Sequence, residues 1–469
     1  MNTQLPDSLI LLSDKFAAHG FSLFLVGGYV RNIVLRLPEG DFDVCSAAMP
    51  DDAAKIAQDA GFHVVKKAAE LGTIEIHIAS GTVRHVFEHT TFRRDYYPPG
   101  GAHRPYRVRF TQNIEEDARR RDFTAGALYL NIRTGMITDP TKRAFDDINK
   151  GVLRAADDDP DITIRDDGLR IMRMARFAAE LKFSVARDLF QSAQRHAELL
   201  SDISAERKRD ELIKILLSDE KYPRTGSPFI GLELLLKTGS LYFVLPRLSA
   251  GRGVVQAEKY HKYDVLEHGL RSCAAAPPVL ALRLAALLHD IGKPDMLKKT
   301  GKMLDHEKRG ETLARDELYE LRFDNKTIGA VLPLIRMHMF DLEGKAKPIT
   351  IRRRAIMLGR EAFSMLIALR RADIKGSGLD DQTDRSADNW QAELERMDKE
   401  GVPWHIGSLK ITGHEVADIL GTGPSKEVGR VLDLLHKECV ASPGSNNNAA
   451  LRRLAAVYAQ KISGKKSLP

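Results

Sequence analysis

The fold of the first part of the chain is decided by the stretch FSLFLVGGYVRNIVLRLPEGDFDV, residues 21–44. Its opening residues, 21–26, form a short apolar run that is typical of a strand, and the run ends at Gly27 and Gly28. The residues after the two glycines have apolar side chains at helical spacing. The stretch therefore predicts a strand, a tight glycine turn and a helix.

Two carboxylates close this stretch. Asp41 and Asp43 are separated by one residue, so both side chains project from the same face if residues 41–45 form a strand. Such a pair can hold two Mg²⁺ ions about 4 Å apart, which suits a site for phosphoryl transfer. An isolated acidic pair is more often a solvated turn, so the neighbouring residues have to decide between the two interpretations.

The neighbouring residues suit a phosphate. Glycines have no side chain, so the backbone N–H groups at Gly27 and Gly28 can approach a triphosphate, and the start of the helix adds a favourable partial charge. Arg31, one turn into the helix, can meet the same phosphates. The spacing matches neither the dinucleotide-binding glycine motif nor the P-loop.

The composition is that of a folded chain with more than one domain. Its 469 residues are about three times the usual domain length, and 43% of them are hydrophobic and 29% charged. The net charge of +7 permits a polyanionic partner. Three scattered cysteines indicate a reducing compartment, and the most apolar stretch, residues 277–288, is too short to span a bilayer. We expect a cytoplasmic protein without a membrane segment.

The pattern of apolar residues changes near residue 155. Before it, further strands are predicted at residues 61–65, 72–78, 82–88, 105–110 and 126–132. After it, helices are predicted at residues 166–182, 204–218, 279–290 and 309–322, with loops at 221–228, 373–388 and 441–448. The fold class is therefore α+β, with a small mixed-sheet head followed by an all-helical neck, body and tail. The predicted divisions are residues 1–155, 156–220, 221–375 and 376–469.

Together, GGYVRN at residues 27–32 and DFD at 41–43 resemble the nucleotidyltransferase family of tRNA CCA-adding enzymes and bacterial poly(A) polymerases. Further stretches that look like family motifs are RRDFT at 120–124, DP at 139–140 with GVLR at 151–154, DDGLR at 166–170, and ERKR at 206–209 with EL at 211–212. The chain departs from the family pattern at Gly126, where asparagine is usual, and at Arg143, where glycine is usual.

The resemblance implies an enzyme that adds CCA to the 3′ end of tRNA from CTP and ATP, depends on Mg²⁺ and releases pyrophosphate. It implies that Asp41 and Asp43 are catalytic and hold the metal. It also implies a set of nucleotide-binding residues: Gly27, Gly28, Arg31, Arg121, Asp122, Asp167, Arg170, Arg173 and Arg176. Of these, Arg121 and Asp122 would hold the ribose region.

Asp167 and Arg170 are three residues apart on a predicted helix and hence are expected to be neighbours on its surface. A carboxylate can accept from the exocyclic amine of cytosine or adenine while a guanidinium donates to the adjacent ring nitrogen; uracil and guanine present a carbonyl there instead. The alternative is an ordinary ion pair along the helix. By resemblance Arg173 would also contact the nucleotide, whereas Arg176 could equally be a partner of phosphate or carboxylate groups.

The segment 89–110 is basic and rich in glycine and proline, which predicts a mobile loop. By resemblance it would help the enzyme change from C to A addition, and the alternative is a cationic surface that contacts RNA phosphates. Glu88, just before it, is either a third metal-binding carboxylate or an ordinary residue at the end of a strand.

A second set of candidate metal ligands lies in the helical part. His268, His289, Asp290 and Asp373 resemble the H…HD…D pattern of the HD phosphohydrolases, and His306 and His338 lie between them in sequence. Imidazoles mixed with carboxylates suit a divalent transition metal and a metal-activated water. The alternative is a helical scaffold in which these residues form buried hydrogen bonds.

Three other functions stay open at this stage. A poly(A) polymerase or an A-adding-only enzyme would share the head motifs. An HD-type metal phosphohydrolase with an inactive head, and a non-catalytic tRNA-binding protein, are alternatives of other classes, although the intact acidic pair counts against both. No protein partner can be inferred from the sequence.

Overall fold

The computed structural model describes residues 5–38, 40–80, 83–98, 105–222, 227–379 and 385–463. The chain divides into two compact units, the first made of residues 1–249 with 320–322 and the second of residues 250–319 with 323–469. All the strands of the described residues lie in the first unit, and the second unit is helical. This arrangement confirms the α+β class, with a small mixed-sheet head followed by helices.

The strands form one main sheet and two small ones. Their bounds are β1 (Phe24–Val26), β2 (Asp43–Ser46), β3 (His63–Ala68), β4 (Thr73–Ser80), β5 (Val83–Thr91), β6 (Arg93–Tyr96), β7 (Arg107–Phe110), β8 (Tyr129–Asn131), β9 (Ile137–Thr138), β10 (Val152–Leu153) and β11 (Ser184–Val185). The main sheet has the order β3-β4-β5-β2-β1-β8-β9, in which β2 and β5 run parallel and the other neighbours antiparallel. Each strand predicted from the sequence overlaps an observed strand.

Strand β1 lies inside this sheet, between β2 and β8, and its burial explains why an apolar run was needed there. Leu25 and Val26 are buried, and Val26 packs with Cys45 of β2 and Tyr129 of β8 in one hydrophobic cluster. Because β1 ends at the two glycines and β2 begins at Asp43, the glycine turn and the acidic pair lie at neighbouring strand ends.

The helices of the first unit begin and end as follows: α1 (Asp7–Ala18), α2 (Gly28–Leu35), α3 (Pro50–Asp59), α4 (Ile114–Arg119), α5 (Ala144–Lys150), α6 (Pro160–Asp166), α7 (Leu169–Leu181), α8 (Arg187–Arg195), α9 (Ala205–Leu216), α10 (Ser218–Lys221), α11 (Ser227–Lys237), α12 (Leu241–Val244) and α13 (Pro246–Ser249). Helix α7 is the longest of them, and it packs against α9 and α11. Helices α9 and α11 therefore support α7 along one side and leave its other side able to contact the head.

The later helices are α14 (Val265–Ala275), α15 (Leu280–Leu288), α16 (Lys293–Thr300), α17 (His306–Glu320), α18 (Asn325–Met337), α19 (Pro348–Leu358), α20 (Arg360–Gly376), α21 (Arg385–Glu400), α22 (Gly413–Leu420), α23 (Lys426–Ala441) and α24 (Asn448–Ser463). Helices α14 and α20 approach so closely that a Cβ on Gly376 would lie 2.7 Å from the backbone nitrogen of Ser272. The last three helices share their own hydrophobic cluster. None of the described helices has the length and apolar character needed to cross a bilayer.

Four predictions about secondary structure were wrong in detail. Strand β11 lies in the part that we predicted to be all helical, because its two residues pair with β10. The predicted mobile loop at 89–110 contains the antiparallel hairpin of β6 and β7, and only its middle, 99–104, lies outside the described residues. The helix predicted at 166–182 is observed as α7 but begins only at Leu169, because α6 ends at Asp166 and Asp167 is extended. The predicted loop at 373–388 begins late, since α20 continues to Gly376.

Candidate active site

A cavity of about 670 Å³ opens in the first unit, beside the ends of β1 and β2 and along α7. Its walls include ten of the eleven residues that the family resemblance assigns to metal or nucleotide: Gly27, Gly28, Arg31, Asp41, Asp43, Arg121, Asp122, Arg170, Arg173 and Arg176. The eleventh, Asp167, does not line it. The fold thus brings the predicted phosphate, metal and nucleotide residues to one place.

The glycine turn has the conformation that the sequence predicts. Gly27 has φ of +76°, which is unfavourable for a residue with a side chain, and Gly28 is the first residue of helix α2. No side chain caps this helix, so its first backbone N–H groups remain able to bind an anion. The turn and the uncapped helix start together suit an anionic group.

Arg31 lies almost entirely buried at the same end of the cavity. Its guanidinium donates from Nη2 to the Asn32 side-chain oxygen at 2.9 Å and to the Tyr222 hydroxyl at 3.4 Å. Burial lowers the pKa of Arg31, because removing water from the guanidinium disfavours its charge. A negatively charged group in the cavity would offset that cost, so the position suits a phosphate.

Three guanidinium groups lie close to the ring of Phe177 on α7. Arg31, Arg173 and Arg176 lie 5.3, 5.6 and 4.1 Å from its centroid. Each distance is within the range of an attractive cation–π contact. Phe177 was not singled out from the sequence, where it looks like one more apolar residue of a helix. The ring concentrates positive charge along one wall of the cavity.

The acidic pair, Asp41 and Asp43, makes a different part of the cavity wall acidic. Strand β2 begins at Asp43, while Asp41 precedes the strand, and both line the cavity. Asp43 lies in register with Glu88 on the parallel strand β5. The surrounding protein removes water from the Asp43 carboxylate, and Glu88 and Asp41 add like charges, so that its pKa is raised to about 6. Carboxylates that repel one another in this way are a suitable donor set for a hard divalent cation.

The two arginines of the RRD segment are held by a buried carboxylate, Asp117, that we did not predict from the sequence. Asp117 on α4 accepts from Arg120 Nε at 2.8 Å, from Arg121 Nη2 at 3.1 Å and from the Tyr129 hydroxyl at 2.6 Å. Burial opposes ionisation of Asp117, but the two guanidinium groups outweigh it and lower its pKa to about 2. An acidic residue three and four positions before a pair of arginines was the available sequence signal.

Asp122 joins the RRD segment to helix α7. Its Oδ1 atom lies 3.0 Å from Arg170 Nε, and its Oδ2 atom accepts from Arg173 Nε. Burial opposes ionisation, yet Arg173 and Arg170 lower the pKa of Asp122 to about 2. Arg170 also donates to the backbone carbonyls of Thr163 and Arg120, at 3.0 and 2.9 Å. These contacts fix the side chains that project from α7.

Asp167 and Arg170 are not neighbours on one helix surface, which corrects our prediction. Asp167 follows the end of α6 in an extended conformation, and α7 begins two residues later. The Asp167 carboxylate accepts from the Leu169 N–H at 3.1 Å and from Arg207 Nη2 at 2.6 Å. Neither an ordinary helix-surface ion pair nor a ready-made pair facing the cavity is therefore formed.

Arg176 has carboxylate partners, as one of our two interpretations expected. Its guanidinium donates to Glu211 at 2.7 Å and to Glu180 at 3.2 Å, and all three side chains are buried. The contact with Glu211 ties α7 to α9.

Other cavity residues that the sequence analysis did not single out include Asn32, Asp95, Tyr97, Lys214, Lys221 and Tyr222.

The four predicted residues of the second set also lie together, in the second unit. His268 on α14 and His289 at the end of α15 have their Nε2 atoms 3.1 Å apart. Both lie close to Asp373 Oδ1, at 3.0 and 3.4 Å, and Asp290 Oδ2 is 3.3 Å from His289. Three of these residues, His268, His289 and Asp373, have ligand atoms close enough together for one metal ion. Nitrogen and oxygen donors in this mixture suit a transition metal.

Comparison with known families identifies three parts of the chain. Residues 23–154 match the family model described as the poly A polymerase head domain. Residues 182–251 match a probable RNA- and SrmB-binding site of polymerase A, and residues 260–366 match the HD domain. The head and HD domain matches imply dependence on divalent metals.

The chain is similar to curated CCA-adding enzymes and to an A-adding tRNA nucleotidyltransferase. It is 33% identical over 308 residues to a CCA-adding enzyme of Streptococcus sanguinis, an alignment that covers 64% of this chain and 68% of that protein. The alignment with the CCA-adding enzyme of Streptococcus gordonii, at 35% identity, covers 52% of this chain and 56% of that protein. An A-adding tRNA nucleotidyltransferase of Deinococcus radiodurans is 29% identical over 438 residues, which cover 88% of this chain and 90% of the relative.

Solved structures share the fold over nearly the whole chain. The CCA-adding enzyme of Bacillus stearothermophilus in complex with CTP has a TM-score of 0.71 at 23% identity and covers 99% of this chain and 100% of its own. The Thermotoga maritima CCA-adding enzyme complexed with tRNA has a TM-score of 0.60 at 15% identity, with 97% of each chain covered. With its head motifs, cavity and relatives taken together, the chain belongs to the family of CCA-adding enzymes.

Proposed function

We propose that the chain extends the 3′ end of tRNA with CCA, using CTP and ATP as substrates and releasing pyrophosphate. The observation that carries the proposal is the cavity that contains the acidic pair, Asp41 and Asp43, together with the arginines of α7. The names of the relatives support CCA addition, and the structural neighbours with bound CTP and tRNA support these substrates.

The reaction needs one bond to form and one to break. The terminal 3′ hydroxyl oxygen of the tRNA forms a bond to the α-phosphorus of the nucleotide and loses its proton, and the bond from that phosphorus to the pyrophosphate oxygen breaks. Positioning and electrostatic stabilisation do most of the catalytic work in reactions of this type. In this chain the backbone N–H groups at Gly28 and the guanidinium of Arg31 would orient the triphosphate.

Asp41 and Asp43 would hold Mg²⁺. Their fit to the ion follows from the raised pKa of Asp43, since like-charged carboxylates in a partly dry cavity are stabilised by a hard cation. When bound, Mg²⁺ lowers the cost of the charge that develops on the attacking and leaving oxygens. Glu88 lies beside Asp43 in the sheet, and its like charge contributes to the raised pKa of Asp43.

Base selection is assigned to Asp167 and Arg170. Arg170 is fixed by Asp122 and two backbone carbonyls at the cavity wall. Asp167 is held by Arg207 next to the start of α7 and lies near enough to Arg173 to raise the pKa of that guanidinium, although Asp122 contributes more. In this proposal the Asp167 carboxylate turns toward the exocyclic amine of the bound base, with Arg207 as its anchor.

We also propose that His268, His289, Asp290 and Asp373 bind a divalent transition metal, which would give the chain a metal-dependent phosphoesterase activity besides nucleotide addition. The buried, mutually contacting ligand atoms of this set favour it. A cytoplasmic location is proposed as well, because the chain has only three cysteines and they are widely separated in sequence.

Removal of the acidic pair tests the proposed chemistry. Asp41→Asn and Asp43→Asn should each lower nucleotide addition by roughly two orders of magnitude or more, because the metal loses a charged ligand. Binding of the tRNA should be nearly unchanged. The measurement is incorporation of labelled nucleotide into tRNA that lacks its 3′ end, with binding followed separately. Asp59→Asn, at an exposed site on α3, is the matched control. Normal addition by both variants would contradict the assignment.

The raised pKa of Asp43 predicts a pH dependence. Below about pH 6 the carboxylate carries a proton that competes with the cation, so addition at limiting Mg²⁺ should fall as the pH falls through that value. Glu88→Gln removes a like charge and should move this acid limb to lower pH by up to about one unit. Glu70→Gln, exposed in the same head, should leave it in place. An acid limb that does not move in Glu88→Gln would show that the two carboxylates are uncoupled.

Replacement of Asp167 tests base selection. An asparagine in its place can donate to the carbonyl of U or G, so Asp167→Asn should relax discrimination by about 1–3 kcal/mol. Arg170→Ala should lower use of both CTP and ATP without admitting UTP, because it removes a donor and supplies no new one. Steady-state rates with all four nucleotides provide the comparison, with the exposed Asp210→Asn as control. Unchanged preference for C and A in Asp167→Asn would remove Asp167 from the base site.

A further inference from the structure

Tyr222 reaches the candidate active site from the position directly after helix α10. Its backbone is extended, its side chain lines the cavity, and only 2% of the residue is exposed. Its hydroxyl contacts Arg31 and Asn32 of helix α2, which precede it in the chain by 191 and 190 residues. The folded chain therefore places one phenol hydroxyl at the end of the cavity where the triphosphate is proposed to bind.

The hydrogen bonds of Asn32 fix which way its side-chain amide points. Its Oδ1 atom accepts from Arg31 Nη2 at 2.9 Å and from Arg31 Nε at 3.2 Å, and its Nδ2 atom donates to the Pro38 carbonyl at 2.7 Å. A guanidinium only donates and a carbonyl only accepts, so turning the amide over would lose all three bonds. Asn32 Nδ2 is therefore also the donor to the Tyr222 hydroxyl, at 2.8 Å.

The Tyr222 hydroxyl receives a second donor, because Arg31 Nη2 lies 3.4 Å from it. A phenol hydroxyl can accept two hydrogen bonds and donate one, so these two contacts use its accepting capacity and leave its proton. Among the residues that the structure describes, no hydrogen bond uses this proton. A buried hydroxyl is stabilised when its proton meets an acceptor, and the cavity is where such an acceptor can enter.

The groups near this hydroxyl favour an anionic acceptor. Arg31 contacts it directly, and the Lys221 ammonium lies 5.7 Å from the centroid of the Tyr222 ring. Lys214 lines the same cavity. A hydroxyl donates more strongly to a charged oxygen than to a neutral one, and the neighbouring cations stabilise the charge of that oxygen. A phosphate oxygen has this chemistry.

We propose that the Tyr222 hydroxyl donates a hydrogen bond to a non-bridging oxygen of the bound nucleoside triphosphate, while its lone pairs hold Asn32 and Arg31 in position. The inference rests on the proposed function and adds a further binding residue to that site. Because the triphosphate is common to CTP and ATP, the contact serves both substrates equally and takes no part in base selection.

Tyr222→Phe tests the contact, because it keeps the ring and removes only the hydroxyl. In titration calorimetry of the full chain with Mg²⁺ and without tRNA, the Kd of CTP and that of ATP should each rise about tenfold or more, by a similar factor. Tyr242→Phe, on α12 with 61% of the residue exposed, is the matched control and should leave both Kd values unchanged. Thermal melts followed by circular dichroism check that both variants are folded.

Competition by fragments of the substrate shows which part of the nucleotide the hydroxyl contacts. The inhibition constant of inorganic triphosphate should rise in Tyr222→Phe by the same factor as the Kd of CTP, whereas inhibition by cytidine should be unchanged. A rise for cytidine with no change for inorganic triphosphate would overturn the assignment to phosphate.

The direction of the hydrogen bond is tested with 3-fluorotyrosine incorporated at position 222. Fluorine makes a phenol hydroxyl a stronger donor and a weaker acceptor. The Kd of CTP should therefore fall if the hydroxyl donates to a phosphate oxygen. A rise in Kd would show that the hydroxyl acts only by accepting from Asn32 and Arg31, and would overturn the direct contact.

The same measurements separate this inference from the proposed function. If the unaltered chain binds CTP and ATP and adds them to tRNA, but Tyr222→Phe has the same Kd values, the role of Tyr222 is overturned and the proposed function stands. An unaltered chain that binds neither nucleotide would overturn both.

Discussion

The ion pairs of Asp122 with Arg170 and Arg173 are the interaction on which the candidate active site depends. They join the segment that follows α4 to helix α7, so they fix the distance between the sheet side and the helix side of the cavity. Both arginines belong to a helix that is supported from behind by α9 and α11. Removing one partner would leave the charge of the other without compensation inside the protein.

The acidic and basic side chains of the cavity lie on different parts of its wall. The acidic pair lies at the start of β2 beside Glu88 of β5, which adds a like charge to Asp43, and three guanidinium groups surround Phe177 on α7. In the proposed function a nucleoside triphosphate with its metal would complement both surfaces at once, with the metal at the carboxylates and the phosphates at the arginines. The carboxylates of Asp117 and Glu211 instead accept from Arg121 and Arg176.

The sequence predicted the parts of the site that depend on short-range order. The strand, the glycine turn and the acidic pair occupy about twenty consecutive residues, and their geometry follows from local conformation. The placement of Asp167 could not be predicted in this way, because its carboxylate accepts from Arg207, which lies forty residues later in the chain. The role of Asp117 on α4 likewise depends on Tyr129, which donates to it from strand β8. The pairing of His306 with His338 depends on two helix ends that meet only in the folded chain.

The proposed function requires that a single cavity accepts C and A in turn and that addition then stops. The most direct test incubates the unaltered chain with tRNA ending at the residue before CCA, and resolves the products obtained with each nucleotide alone and with CTP and ATP together. We expect addition of two C residues with CTP alone, completion by one A when ATP is also present, and no extension with UTP or GTP. A run of A residues with ATP alone, or no use of CTP, would contradict it.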